Sequence, residues 1–110
     1  VGIERIKELA DFGKNNLAKY GFIKNRAVQC VLGDGSPGYP PQAPYNRILA
    51  SAAAPDAIPK EWEKQLKPGG IIVAPVQNTI VKIINHRENV FSDEQYEGFA
   101  FVSLVQGAFQ

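Results

Sequence analysis

Two carboxylates follow short apolar segments, at places where a parallel sheet exposes its carboxyl edge. Glu4 ends the first apolar segment, and Asp34 lies between Gly33 and Gly35, after an apolar run over residues 27–32. In nucleotide-binding α/β folds an acidic residue in such a place accepts hydrogen bonds from a ribose, and it can equally accept from an exocyclic amine. The two glycines are expected to turn the backbone with positive φ. Two plainer interpretations stay open: a solvated acid near a helix N-terminus for Glu4, and an Asx turn for Asp34.

A loop of small side chains follows the apolar residues 48–50. Ser51 is succeeded by three alanines and then by Pro55. Ligands of open α/β sheets bind just beyond the carboxyl ends of the strands, and small side chains in that place leave the backbone open to a ligand. The alternative is a strand end packed tightly under a helix, because small residues usually serve packing.

No side chain is a strong candidate for a general base or a nucleophile. The single histidine, His86, lies in a polar turn beside Arg87 and Glu88, which predicts a surface position. The single cysteine, Cys30, lies inside an apolar run and is predicted to be a packed, unreactive thiol. One cysteine excludes an internal disulfide and a multi-cysteine metal site, and we expect no metal.

Strands and helices that alternate along the chain must position these residues. Apolar spacing predicts an amphipathic helix over residues 6–20 that stops at Gly21, and a shorter helix over residues 59–66. Residues 67–70 are expected to turn the chain back. Apolar runs predict the strands: one ends at Glu4, and the others cover residues 27–32, 45–51 and 71–75. This alternation favours an α/β class with parallel strands and right-handed crossovers.

The last third of the chain has no long helix. Residues 79–85 and 99–105 are predicted to be two strands of an antiparallel hairpin, with a polar turn at residues 86–88.

Composition limits the class of partner. The 110 residues are 45% hydrophobic, enough for one globular domain or part of one, and the net charge is +1. This balance gives no case for a nucleic-acid surface, and no apolar run approaches the roughly 18 residues of a membrane helix. We therefore expect neither nucleic acid nor a membrane as partner, and a cytoplasmic location, with which the lone cysteine is compatible.

Several short motifs occur in an order that a known family shares. They lie at residues 2–6, 33–35, 38–39, 43–45, 52–55, 66–70, 75–76 and 101–104. Together they resemble the C-terminal half of the protein-L-isoaspartate O-methyltransferase family. The stretch from Ala43 to Pro55 after Gly33-Asp34-Gly35 is the most specific part, whereas residues 66–70 are common to many class I methyltransferases. The resemblance implies part of a Rossmann-like class I sheet, mostly parallel with an antiparallel C-terminal hairpin.

The resemblance also implies a reaction. Members of the family transfer a methyl group from S-adenosylmethionine to the free carboxylate of L-isoaspartyl residues in damaged proteins and peptides. The methyl ester then closes to a succinimide, which can reopen as normal aspartate. A carboxylate is already a nucleophile at neutral pH, so the reaction needs positioning rather than a strong base.

Site residues follow from the resemblance, residue by residue. Glu4 would hold the ribose, Arg5 would lie beside the cofactor, and Asp34 with Gly35 would hold the adenine end. Val105 and Gln110 match positions that approach the cofactor from the C-terminal segment. The substrate would be bordered by Ser51, Ala52, Ala53, Ala54, Pro55, Pro75 and Val76.

The sequence departs from the family mainly in what it lacks. The family's N-terminal segment, first strand and glycine-rich cofactor loop have no match in residues 1–110, which we therefore expect to form a single partial methyltransferase domain. Without the central strand this piece is expected to be a poor catalyst, and to close the gap by dimerising, exchanging elements or rearranging. Gln77 and Asn78 replace a longer turn at the substrate lip, which is the border of the substrate site formed by the loop after Val76. Two alternatives stay open: a class I methyltransferase with another acceptor, and a non-catalytic family fragment that acts only through protein contacts.

Overall fold

The computed structural model describes residues 1–88 and 90–107, which form two compact units. Val1–Gly35 belong to the first unit together with residues 106 and 107, and Ser36–Val105 form the second. Within the described residues, no helix has both the length and the apolar character needed to cross a membrane.

The first unit is a β-α-β arrangement. Strand β1 (Gly2–Glu4) pairs in parallel with β2 (Cys30–Leu32), and helix α1 (Lys7–Ala18) connects them. The helix ends as predicted, because Gly21 adopts a φ of +77° and its N–H donates to the carbonyl of Ala18 at 3.0 Å. Strand β2 starts three residues later than predicted, at the end of a run of turns.

None of the described residues of the first unit is buried. Helix α1 has the predicted apolar face, yet Leu9 is 53% exposed and Phe12 is 67% exposed. Two strands of three residues offer too little surface to cover a helix of 12 residues. The first unit therefore contributes little apolar burial, the dominant favourable term in folding.

The second unit contains strands β3 (Tyr45–Leu49), β4 (Leu66–Val76), β5 (Thr79–Arg87) and β6 (Val90–Glu97), which form one four-stranded sheet in chain order. Strands β3 and β4 are parallel, whereas β4, β5 and β6 form an antiparallel meander. A short helix, α2 (Lys60–Lys64), connects β3 to β4. The α/β class is confirmed, and the sheet is mixed.

The core lies between α2 and one face of this sheet. Alternate residues of β4 and β5 point to that face, as the two-residue period of a strand requires. Ile72 is completely buried. The core residues are Ile58, Trp62, Leu66, Ile72, Ala74, Val81 and Ile83.

The prediction of a turn over residues 67–70 is wrong, because these residues are part of β4. Tyr45 pairs with Leu66 and Arg47 pairs with Ile71, so the ladder has an irregularity at this point. Gly69 supplies the positive φ, +82°, within the irregular segment. The proline and two glycines that predicted a turn therefore lie in an irregular part of β4, where the strand has extra residues opposite β3.

The prediction of an antiparallel C-terminal hairpin is confirmed, but the prediction that residues 99–105 form its second strand is wrong. Strand β5 pairs with β6, from Thr79 opposite Glu97 to Arg87 opposite Val90. All eight residues of β6 are exposed, so this edge strand lacks the alternation that reveals a strand in a sequence. Residues 99–105 contain only an isolated parallel bridge between Ser103 and Ala53.

Candidate functional site

The parallel pair in the first unit brings Glu4 and Asp34 to one edge. Glu4 is opposite Leu32 at the carboxyl ends of both strands. The N–H of Gly33 then donates to the main-chain carbonyl of Glu4 at 3.0 Å. The structure therefore places the two predicted carboxylates at the end of neighbouring strands.

The half-buried carboxylate of Glu4 is held at the junction of β1 and α1. Its Oε1 atom accepts a hydrogen bond from the N–H of Ile6 at 3.1 Å. Arg5, the next residue, is also half-buried. The bond to Ile6 leaves the second carboxylate oxygen as an acceptor at this edge.

Asp34 is half-buried in the loop that follows β2. Its Oδ2 atom accepts a hydrogen bond from the N–H of Gly107 at 3.0 Å. The expected positive φ at Gly33 and Gly35 is wrong, because neither belongs to the glycines with positive φ. Both instead lie against Ile3, whose side chain would be 3.7 and 3.9 Å from a β-carbon at the two positions, an ordinary van der Waals contact.

In the second unit the alanine loop extends the parallel pairing. The N–H of Ala54 donates to Pro75 at 2.9 Å, and the N–H of Gln77 donates to Ala54 at 3.0 Å. On the other side, Ala53 donates to Val102 and accepts from Leu104, both at 2.7 Å. The backbone of Ala53 and Ala54 is therefore fully engaged within the protein, which agrees with the packing interpretation and not with a backbone open to a ligand.

The accessible part of this loop is its two ends. Ala53 and Ala54 are 5% and 1% exposed, as the packing interpretation requires, whereas Ser51 and Pro55 are exposed. The side chain of Gln77 holds the end of the loop, because its Nε2 donates to the carbonyl of Pro55 at 2.9 Å.

The other predicted site residues differ in their exposure. Ala52 and Val76 are half-buried, Pro75 is buried, and Val105 is 47% exposed. Gln110 lies outside the described residues. Glu4, Arg5, Asp34 and Gly35 belong to the first unit, and Val105 and all seven predicted substrate residues belong to the second.

Gln65 is not among the residues predicted from the sequence, although this polar side chain of the second unit is only 7% exposed. Its Oε1 accepts from the N–H of Tyr39 at 2.9 Å, and its Nε2 donates to the carbonyl of Pro37 at 2.9 Å. Its main-chain carbonyl accepts from the N–H of Tyr45 at 2.7 Å. Trp62 faces the core from α2, and Gln65 follows it by three residues. This helical spacing predicts that Gln65 lies on the same inward face.

Tyr45, at the start of β3, is tied to the same segment. Its hydroxyl donates to the main-chain carbonyl of Tyr39. Burial raises the pKa of the Tyr45 phenol, and the neighbouring Tyr39 raises it further. Tyr45 therefore remains a neutral donor over a wider pH range than an exposed tyrosine.

The first unit has carboxylates at the carboxyl edge of a β-α-β arrangement, and the second has a mixed sheet that ends in an antiparallel meander. Both features fit the C-terminal part of a class I methyltransferase fold. The sequence profile of the protein-L-isoaspartate(D-aspartate) O-methyltransferase family matches residues 1–108. The chain belongs to this family.

Curated relatives agree with this membership. The protein-L-isoaspartate O-methyltransferases of Methanopyrus kandleri and Pyrococcus horikoshii are 45% and 42% identical to it, over 96% and 94% of this chain. The chain spans 47% of the length of each of these relatives.

The solved structures show the fold. A structure described as a protein-L-isoaspartate O-methyltransferase from Plasmodium falciparum, in complex with S-adenosyl-L-homocysteine, superposes with a TM-score of 0.73 at 17% identity. It covers 96% of this chain, which corresponds to 52% of that structure. A second structure, of a protein-L-isoaspartate O-methyltransferase, superposes with a TM-score of 0.72 at 20% identity. The match covers 96% of this chain and 33% of the other chain.

Proposed function

We propose that this chain is the C-terminal part of an enzyme that transfers a methyl group from S-adenosylmethionine to the free carboxylate of isoaspartyl residues in proteins and peptides. The observation that carries the proposal is the family match over residues 1–108. The relatives that bear this activity in their names are similar over nearly the whole chain.

The cofactor residues proposed are Glu4, Arg5, Asp34, Gly35, Val105 and Gln110. The position of two half-buried carboxylates at one sheet edge fits a nucleoside, because a carboxylate accepts from ribose hydroxyls and from the adenine amine. The Oε2 atom of Glu4 would take the ribose. Asp34 and Gly35 would hold the adenine end.

The substrate residues divide into a contact group and a support group. Ser51, Ala52, Pro55 and Val76 have accessible atoms and would border the isoaspartyl residue. Ala53, Ala54 and Pro75 are buried and would fix the shape of that border through their main-chain hydrogen bonds.

The chain's task in the reaction is to position the acceptor. S-adenosylmethionine supplies an electrophilic methyl group when it is bound. The acceptor carboxylate is ionised at neutral pH, so no side chain has to remove a proton before it attacks. Alignment of the two reactants supplies the acceleration, since orientation alone can lower a barrier by about 7–11 kcal/mol.

Exchange of this chain into a relative tests the proposal. Residues 1–108 would replace the matching segment of the Methanopyrus kandleri protein, and methyl transfer to an isoaspartyl peptide and to its aspartyl twin would be compared. We expect transfer to the isoaspartyl peptide alone. A chimaera that folds and binds S-adenosylhomocysteine but methylates neither peptide contradicts the proposed acceptor and favours the alternative of another one, for which the two-residue turn Gln77–Asn78 at the substrate lip is the supporting observation.

The isolated 110-residue chain is a separate test. Titration with S-adenosylhomocysteine in a calorimeter, with the mass in solution measured beside it, is expected to give weak binding or none from a monomer. Tight binding by a dimer would instead support the exchange of elements between two copies.

A further inference from the structure

A groove in the second unit lies beside the proposed substrate residues. Val81 and Ile83 of β5 face α2, and their partners on β6, Gln95 and Asp93, face the same side. Helix α2 has only five residues, and β6 remains exposed beside it. The resulting groove has a volume of about 310 Å³.

The groove has an apolar floor and an acidic rim. Val76, Val81, Ile83 and Phe91 are among the apolar residues that line it. The charged groups of the lining are three carboxylates and one ammonium group, from Asp56, Glu63, Asp93 and Lys60. The ammonium group already pairs with Glu63 at 3.2 Å, so the groove carries a net negative charge.

The groove is continuous with the proposed substrate border. Val76 belongs to both, and Asp56 follows directly on Pro55. Consecutive residues of an extended peptide are about 3.3 Å apart, so a residue close to the isoaspartyl group can reach the groove.

We propose that this groove binds a lysine or arginine side chain that neighbours the isoaspartyl residue in the substrate. The inference rests on the proposed function and names a preference within that substrate class. The aliphatic stem would lie on the apolar floor while the cation pairs with Asp56 and Asp93, because long basic side chains combine both properties. The volume is at the low end for ligand pockets, which suits one side chain with its backbone.

Peptide binding to the 110-residue chain tests the preference. Three isoaspartyl peptides that differ only in the neighbouring residue (lysine, norleucine or glutamate) would be titrated, each with an aspartyl twin, while amide resonances of the groove are followed by NMR. We expect the lysine peptide to bind about threefold to tenfold more tightly than the glutamate peptide, with norleucine between them.

Charge-removing variants locate the effect. Asp56→Asn and Asp93→Asn lie at exposed positions, so the fold should survive, and each should reduce the ratio of lysine to glutamate affinity. Glu94→Gln is the matched control, because Glu94 neighbours Asp93 but points to the opposite face of β6. This control should keep the ratio.

The outcomes separate the groove from the proposed function. Three results would overturn the proposal that the groove binds a basic side chain. They are equal affinity for the lysine and glutamate peptides, no binding of any peptide, and a Glu94→Gln effect as large as that of Asp93→Asn. Groove resonances that move on dilution without peptide assign the surface to a second copy, which also overturns it. A preference for lysine in the 110-residue chain, together with a chimaera that folds and binds S-adenosylhomocysteine but methylates neither peptide, supports the groove and contradicts the proposed function.

Discussion

Gly38 and Gln65 approach each other so closely that a β-carbon on Gly38 would lie 2.3 Å from the side-chain Oε1 of Gln65. The same amide group accepts from Tyr39 and donates to Pro37, so it holds both neighbours of Gly38. Because Gln65 is buried and bonded at both ends, it cannot move aside without leaving polar groups unsatisfied. The turn at Gly38 therefore admits no side chain.

Gly38→Ala should be strongly destabilising. Gly38 has a φ of +72°, so alanine would meet backbone strain as well as the clash with Gln65. The free energy of unfolding should fall by about 2–4 kcal/mol, measured by chemical denaturation. Gly69→Ala is the matched control, because Gly69 has a φ of +82° with no atom within 4 Å of a β-carbon. It should cost about 1–2 kcal/mol, and equal losses for the two variants would contradict the role of Gln65.

Local patterns in the sequence predicted part of this fold and site. Helix α1 and its stop at Gly21 were predictable, because apolar spacing and a glycine C-terminus are local signals. The position of Glu4 and Asp34 at strand ends was also predictable, because it depends only on which segments are strands. Strand β6 and the contact between Gly38 and Gln65 were not, since an exposed edge strand has no alternation and the contact joins segments 27 residues apart.

The core of the second unit should depend on Ile72. Its side chain is completely buried, so Ile72→Ala should lower the free energy of unfolding by about 2–5 kcal/mol. Leu49, on the neighbouring strand β3, has a side chain that is 81% exposed. Leu49→Ala should therefore change the free energy of unfolding by less than about 0.5 kcal/mol. A large loss from the Leu49 variant in the 110-residue chain would show that a second molecule covers β3.

Alkaline pH should destabilise the second unit through Tyr45. Its pKa in the folded protein is raised above 10.0, so folding favours the neutral phenol. The corresponding stability is fully present below the pKa of the unfolded state and is lost as pH rises through that of the folded state. In thermal unfolding above pH 10.0, Tyr45→Phe should therefore lose less stability with rising pH than the unchanged chain. Equal slopes for the two proteins would contradict this assignment.

Glu4→Gln should weaken cofactor binding without unfolding the protein. Glutamine keeps an oxygen that can accept from the N–H of Ile6, but it lacks the charge that strengthens a bond to a ribose hydroxyl. In the chimaera with the Methanopyrus kandleri protein, the affinity for S-adenosylhomocysteine should fall about tenfold, as calorimetry would measure. Glu8→Gln removes the same charge from an exposed position on α1 and should leave the affinity unchanged. If both variants bind equally well, Glu4 is the solvated acid at a helix N-terminus that its sequence context also allows.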